Sequence, residues 1–225
     1  MVVKPMRKLI QGIVTFRRRV RPGYRAKFAH LALGQAPDTL FIACSDSRVV
    51  PNVFASADPG DLFVIRNVGN LVPPSTGSTT LTASSEAAAL EFAVGKLKVS
   101  DIIVCGHSEC GAMQAILKGR ARERAPRLRR WLKFGESSLK PLRQGLAPDH
   151  ALEPNNQLSQ LNVLQQLGHL RSYRIVKVRL RAGKLRIHGW WFDLKHADVY
   201  SYEETRKRFV LIDDAEAERL LRRLR

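Results

Sequence analysis

The segment C-G-H-S-E-C, Cys105 to Cys110, places one imidazole and two thiols within six residues, directly after the apolar run D-I-I-V. Thiolate and neutral imidazole are zinc donors, and a zinc site takes four ligands, so this segment can supply only part of one. The chain holds one further cysteine, Cys44, at the end of another apolar run, T-L-F-I-A-C. Two and four residues beyond it stand Asp46 and Arg48, in A-C-S-D-S-R-V-V-P. An arginine beside an aspartate can hold the carboxylate ionised through a charge-assisted, two-point pair. Cys44, His107 and Cys110 would make a set of two thiols and one imidazole with a fourth position open, the pattern of catalytic rather than structural zinc sites. Asp46 could accept a hydrogen bond from a hydroxide held there. Plainer readings stand beside these: H-x-x-C alone is a weak signal, a histidine at a strand end is often structural, and an Asp and Arg in one loop often form a surface pair of little energetic worth. Cys105 differs, because alternation turns it to the other side of its strand, where it reads as a small buried hydrophobe.

For these groups to meet, the runs that carry them must be neighbouring parallel strands. T-L-F-I-A-C, D-L-F-V-I-R and S-D-I-I-V-C-G are short and apolar without alternation, which suits a sheet covered on both faces. Between the second and third, S-S-E-A-A-A-L-E-F-A-V-G-K-L-K predicts a crossover helix capped at Ser84 or Ser85. In such sheets ligands gather at the carboxyl ends of strands, near the reversal of strand order. Cys44 ends the first strand, His107 follows the third, and Cys110 lies at the start of the helix C-G-A-M-Q-A-I-L-K-G, ending near Gly119. A helix start favours thiolate there. The stretch N-N-Q-L-S-Q-L-N-V-L-Q-Q-L-G-H-L has helical period, while K-L-R-I-H-G-W-W-F-D-L and A-D-V-Y-S-Y flank a polar turn and predict a hairpin. At the front, V-K-P-M-R-K-L-I-Q-G-I-V-T-F-R-R-R-V predicts an amphipathic helix ending before Pro22 and Gly23. It reads either as a basic targeting helix or as one that docks on the domain or a partner subunit. The expected fold is α/β: a single domain over residues 1–225, a mainly parallel central sheet flanked by helices, a late hairpin at one edge, and an N-terminal helical arm over about 1–33.

A chain of 225 residues that is 44% hydrophobic suits one such domain. Its apolar runs are far shorter than the roughly 20 residues of a membrane span, and no signal-peptide pattern opens it, so a soluble, cytoplasmic protein is expected. Three cysteines, an odd number, argue for reduced thiols rather than a disulfide framework. The balance of 38 Lys and Arg against 20 Asp and Glu leaves +18, a strongly positive surface. From Lys118 to Lys133 there are eight basic residues and one acidic, Glu123, and R-R-R recurs at 17–19. These stretches are solvated basic faces, or they dock on nucleic acid, an anionic membrane or an acidic protein. Trp131 is the one aromatic side chain in the 118–133 stretch, which weakens a case for single-strand binding.

As a set, these residues resemble the β-class carbonic anhydrases, most closely the plant-like subgroup. The resemblance rests on A-C-S-D-S-R-V-V-P, on D-L-F-V-I-R-N-V-G-N-L-V-P-P from Asp61 to Pro74, on S-E-A-A-A-L-E-F-A-V, on G-H-S-E-C-G at 106–111 and on the late G-W-W-F-D, over roughly positions 34–193. It implies that Cys44, His107 and Cys110 bind Zn2+ and that Asp46 and Arg48 form the catalytic dyad. In that family the aspartate can also swing onto the metal as a fourth ligand, in an inactive closed form. The implied reaction is reversible hydration of carbon dioxide to bicarbonate and a proton, by zinc-hydroxide attack. The resemblance further implies that Gln35, nine residues before Cys44, bonds substrate oxygen, that Phe63 and Val68 line the carbon dioxide pocket, and that the Gly111 N–H holds bicarbonate. Some of these groups come from the neighbouring subunit of a homodimer or larger homo-oligomer. The subgroup's pocket tyrosine falls at Phe92, which lacks the hydroxyl, and Ala112 replaces a second glycine. A second subgroup binds regulatory bicarbonate through a tryptophan, an arginine and a tyrosine. The matching positions here are Phe41, Arg66 and Phe192, so no such inhibition is expected. No histidine is assignable as a proton shuttle. The same zinc site could instead hydrolyse carbonyl sulfide or carbon disulfide. A non-catalytic, basic, zinc-stabilised binding protein would need neither the Asp46 and Arg48 pair nor Gln35.

Overall fold

The computed structural model describes residues 5–75 and 85–224. Two units emerge, divided after Ala36. In the first, α1 (Pro5–Thr15) passes through a π turn, Phe16–Val20, into α2 (Arg21–Leu31). The helix therefore does not end before Pro22 and Gly23, as its sequence predicts. Proline has no N–H, and its ring presses on the carbonyl four residues back, so the turn before it widens to π and Pro22 falls in the first turn of a fresh α segment. Met6, Leu9, Ile10, Ile13 and Val14 form an exposed apolar stripe on α1.

The second unit, from Pro37, is built on a six-stranded sheet. Its strands are β1 (Thr39–Cys44), β2 (Leu62–Asn67), β3 (Asp101–His107), β4 (Arg186–Asp193), β5 (Asp198–Glu203) and β6 (Arg208–Leu211), in the order β2-β1-β3-β4-β5-β6. The first four are mutually parallel where they pair, and β5 and β6 are antiparallel additions at one edge. The three apolar runs and the hairpin lie where the sequence puts them, except that His107 is the last residue of β3 rather than the one after it. Strand β6 and the helices α7 (Leu139–Arg143), α9 (Arg174–Arg181) and α10 (Asp214–Leu224) have no counterpart in the sequence reading. Four strand residues are too few for a period of two to stand out. Buried Glu203 at the end of β5 ties α10 to the sheet through Arg219 and Arg223.

From β1 the chain reaches β2 on one side. The connection out to β2 carries α3 (Pro51–Phe54), and the crossing back to β3 carries α4 (Ser85–Glu91), which runs on as a π segment, Phe92–Leu97. Of the two expected capping residues, Ser85 is the first helical residue and Ser84 lies outside the described residues. Because β3 pairs with the other edge of β1, strand order reverses between β1 and β3, and both strands end there in candidate ligands.

Alternation along β1 sends Leu40 and Ile42 into one apolar cluster with Ile102, Val104, Val163 and Leu167, and Phe41 and Ala43 into another with Cys105 and Phe192. Cys105 thus sits on the face away from Cys44, buried among apolar groups, which push its thiol pKa up. Helix α8 (Pro154–Ser172) lies on the first face and approaches it closely. A Cβ on Gly106 would stand 2.7 Å from Val163 Cγ2, and one on Gly189 would stand 2.9 Å from Val163 Cγ1. The two glycines open a groove that larger residues would fill. Beside α8, a third cluster of Leu71, Met113, Ile116, Leu132 and Leu158 joins α5 (Gly111–Leu117) and α6 (Pro126–Glu136). Leu132 of α6 is buried, while Arg127, Arg130 and Lys133 are exposed. Among the described residues no helix is long and apolar enough to cross a membrane.

Candidate metal centre

Cys44 reaches the site as the last residue of β1, where parallel pairing sets Ala43 against Cys105 and so brings the ends of β1 and β3 together. His107 ends β3. The chain then turns through Glu109, at φ +55, and places Cys110 in extended backbone as the N-cap of α5. Cys44 Sγ, a His107 ring nitrogen and Cys110 Sγ lie within 4.8 Å of one another, all three residues buried. A tetrahedral zinc ion with bonds of ~2.0–2.3 Å needs donors roughly 3.3–3.8 Å apart, which this spacing accommodates.

The imidazole is prepared for the same task. Its Nδ1 lies 2.8 Å from the Ser108 carbonyl, which can only accept, so Nδ1 carries the proton and Nε2 bears a lone pair. That Nε2 is buried and has no hydrogen-bond partner among the described residues. An orphaned acceptor facing two thiols in a dry site is what a metal ligand looks like without its metal.

Without metal the two sulfurs divide their ionisation unequally. Cys110 first, then the neighbouring His107 ring and the Gly69 N–H at 3.4 Å, outweigh burial and pull the Cys44 thiol pKa well below the ordinary thiol range. Cys110 moves the opposite way, pushed up by donating to Cys44 and by burial. The Met113 and Ala112 amides at the start of α5 favour ionisation of Cys110, as the sequence leads one to expect, while Cys44 and burial oppose it.

Beside the sulfurs, Arg48 grips Asp46 at two points, Nε to Oδ1 at 2.9 Å and Nη2 to Oδ2 at 2.7 Å, and its backbone N–H adds a third bond to Oδ1 at 3.0 Å. The guanidinium holds the Asp46 carboxyl well below the usual carboxylate range. Arg48 Nη2 also donates to the Glu109 carbonyl at 3.2 Å, linking the dyad to the loop that carries His107 and Cys110. Arg66 was marked in the sequence only by its match to a regulatory position. Here it donates to the carbonyls of Cys44, 3.1 Å, and Asp46, 2.7 Å, and holds the dyad loop against β2.

The remaining sequence candidates are more scattered. Gly111 opens α5, and a Cβ there would meet nothing within 4 Å. Val68 is exposed, and its carbonyl accepts from Trp131 Nε1 at 2.8 Å. Phe63 and Phe92 do meet, with ring centroids 5.8 Å apart. Phe63, however, pairs with Leu40, four residues short of Cys44, which puts it roughly 13 Å along the strand from the metal ligands of its own chain. Gln35 is exposed in the first unit, after α2.

Sequence reasoning missed the polar residues of α8 that hold this site. Asn156 exchanges two hydrogen bonds with Glu109, Ser159 bonds the His107 carbonyl and Asn162 the Gly69 carbonyl. Their signal was present as Ser, Asn, Gln and His recurring at steps of three and four along a helix whose other polar residues follow no such single face.

A carbonic anhydrase family model matches residues 39–199. A carbonic anhydrase of Pseudomonas aeruginosa is 40% identical over 210 residues, covering 91% of each chain. Beta carbonic anhydrase 1 of Caenorhabditis elegans is 32% identical over 251 residues, covering 97% of this chain and 93% of that one. Among solved structures, the beta-carbonic anhydrase CcaA superposes with a TM-score of 0.84 at 37% identity, covering 92% of this chain and all of that one. One of two tetrameric beta-carbonic anhydrases from Sordaria macrospora does so with a TM-score of 0.74 at 29% identity, over 87% and 95% of the two chains. With this breadth of match, and with the paired thiols and imidazole at the strand-order reversal, the chain belongs to the β-class carbonic anhydrases.

Proposed function

We infer that the protein catalyses the reversible hydration of carbon dioxide to bicarbonate and a proton, at a zinc ion held by Cys44, His107 and Cys110. The observation that carries this reading is the buried convergence of two sulfurs and an orphaned imidazole nitrogen beside an aspartate kept ionised by an arginine. Two sulfurs and one nitrogen favour zinc over the oxygen-loving cations. A metal so held supplies the Lewis acidity that lets a water molecule ionise near neutral pH.

The chain's own residues do the rest. Asp46, ionised, can only accept, so it would accept a hydrogen bond from the reacting hydroxyl and thereby orient a lone pair toward carbon. Arg48 fills three of its roughly four acceptor sites, two on Oδ1 and one on Oδ2, so the free site is on Oδ2. An aspartate bound in this way stays off the metal, which supports the open arrangement with a fourth position for water.

Gln35, Phe63, Val68, Phe92 and Gly111 are our candidates for the substrate pocket. The Phe63 and Phe92 pair, set far from its own chain's ligands, would serve the site of a second copy. The exposed apolar stripe of α1 and the tetrameric state in the description of the Sordaria enzymes support a homo-oligomer. We also retain the plant-like subgroup and a cytoplasmic setting, the latter on three unpaired cysteines. Phe41 and Phe192 lie in an apolar cluster, with Phe54 stacked on Phe192 at 4.7 Å, and Arg66 is engaged by two carbonyls. Bicarbonate therefore finds no polar regulatory cradle there, and its titration against activity should give simple product inhibition; steep cooperative inhibition would refute this.

A basic binding protein leaves the Asp46 and Arg48 arrangement without a use, so the enzyme is the better reading. Stopped-flow hydration of carbon dioxide, with metal content measured before and after chelation, tests it. Activity that tracks one bound zinc per chain is expected. Activity indifferent to metal removal, or none with zinc bound, would reject it.

A further inference from the structure

On α8, Ser159, Asn162, Gln166 and His169 recur at steps of three, four and three, which places them along one helical face. The face is polar yet buried: Ser159 and Asn162 are 1% exposed and Gln166 is 0%. Burying polar groups costs free energy unless they are bonded, so their partners show what the face is for. Ser159 Oγ donates to the His107 carbonyl at 2.7 Å. Asn162 Nδ2 donates to the Gly69 carbonyl at 3.1 Å, and its Oδ1 accepts from Gln166 Nε2 at 2.9 Å. Gln166 Oε1 in turn accepts from the Val72 N–H at 2.9 Å. One helix face therefore grips the backbone of two segments at the metal centre, the end of β3, which carries His107, and the loop after β2, whose Gly69 N–H meets Cys44 Sγ.

Gly69 is the pivot. Its N–H donates to Cys44 Sγ while its carbonyl is held by Asn162. The backbone there has φ +84, and a Cβ would stand 2.9 Å from Ala112 Cβ, so glycine meets both the conformational and the steric demand. Asn162 touches no candidate ligand, yet it fixes the residue whose amide points at one.

We propose that Asn162 is a positioning residue of the metal centre, which keeps the Gly69 N–H aimed at the Cys44 sulfur through its bond to the Gly69 carbonyl. The inference rests on Cys44 being a metal ligand. An amide donating to a thiolate withdraws electron density from sulfur, and outer partners of this kind tune both the affinity and the electronics of a metal. Loss of the Asn162 donor releases the Gly69–Asn70 peptide and, through the freely turning backbone at Gly69, loosens the adjoining Val68–Gly69 peptide, whose N–H points at Cys44 and whose carbonyl is otherwise held by Trp131 Nε1. A weaker N–H bond raises the energy of the sulfur lone pairs.

Cobalt, which takes zinc sites and reports on them by colour, is the probe. In Asn162→Ala the sulfur-to-cobalt charge-transfer band should move to lower energy, and cobalt should bind about tenfold more weakly by chelator competition, at the low end of outer-partner effects. Asn162→Asp retains the acceptor for Gln166 but loses the donor toward Gly69, so it should shift the band likewise. Gln166→Met breaks neighbouring bonds and should lower thermal stability at least as much, while moving the band less. A purely structural role for Asn162 predicts that band position follows stability across the three variants, and that result would overturn the proposal. If the Asn162 variants fail to fold, the unaltered protein still decides. With isotope-labelled cadmium bound, the Gly69 amide proton should show scalar coupling to the metal through sulfur, and a Gly69 amide without it overturns the proposal. A protein that takes up no cobalt sinks the metal reading and this inference with it. A protein that takes it up, with Asn162→Ala indistinguishable in band and affinity, sinks this inference alone.

Discussion

At Cys44 and Cys110 two buried sulfurs face each other, and their mutual interaction pulls the Cys44 thiol pKa down while it pushes that of Cys110 up. The Cys44 thiol, drawn well below the ordinary thiol range chiefly by Cys110, should give the metal-free protein ultraviolet thiolate absorbance at neutral pH that fades only in the acidic range. Because the folded value lies below the unfolded one, this ionisation stabilises the metal-free fold fully above the ordinary thiol range and is progressively lost as pH falls through the depressed folded value. Absorbance that instead rises only near the ordinary thiol pKa would refute the assignment. Asp46 makes a second case. Asp46→Asn keeps the shape but places an amide where a full acceptor stood, so metal content should be retained while the hydration rate falls about 10²-fold or more. Full activity in stopped flow would remove Asp46 from the mechanism.

Among the elements, α8 matters most, since it packs on the face of β3 and β4 and its polar residues reach the loops of the site. Its approach depends on Gly106, inside the very C-G-H-S-E-C segment that carries the ligands. Gly106→Ala would press a methyl group into Val163 Cγ2 and toward Ser159 Oγ, 3.2 Å away. Overpacking of this kind costs about 1–3 kcal/mol, and here it should also weaken metal binding by displacing the strand end that holds His107. Denaturant unfolding and chelator competition on the same variant check both effects, and an unchanged metal affinity would show that α8 does not set the site. Periodicity made α8 legible as a helix, but not its polar face. A sequence pattern marks which positions share a face, whereas the backbone groups that a buried Asn or Gln satisfies come from segments distant in the chain.

For the whole molecule, metal binding and folding should be linked, because the three candidate ligands come from β1, β3 and the start of α5 and meet only in the folded chain. At metal concentrations about 1,000-fold above Kd, the bound state gains about 4 kcal/mol, which for a chain of this size amounts to a rise of about 8–16 °C in Tm. Calorimetry with and without a chelator should show that gap, and readdition of zinc should restore it; equal transitions would mean that the ligands do not share an ion. By itself the sequence determined the donor types, the strand ends that bear them, the Asp46 and Arg48 pair and the parallel core, because hydrophobic runs, charge and ligand chemistry are properties of local residue type. It misplaced the end of the first helix, since a proline's stop can be absorbed by a π turn, and it lacked β6 and α10, whose short or charged sequences are held by contacts with the rest of the sheet. Only the tertiary structure decided that the Gly69 N–H points at the Cys44 sulfur, that Phe63 lies far from its own chain's ligands, and that Asn162 of α8 bonds the Gly69 carbonyl. Each of these depends on distances between residues far apart in the chain, and such distances exist only once the chain has folded.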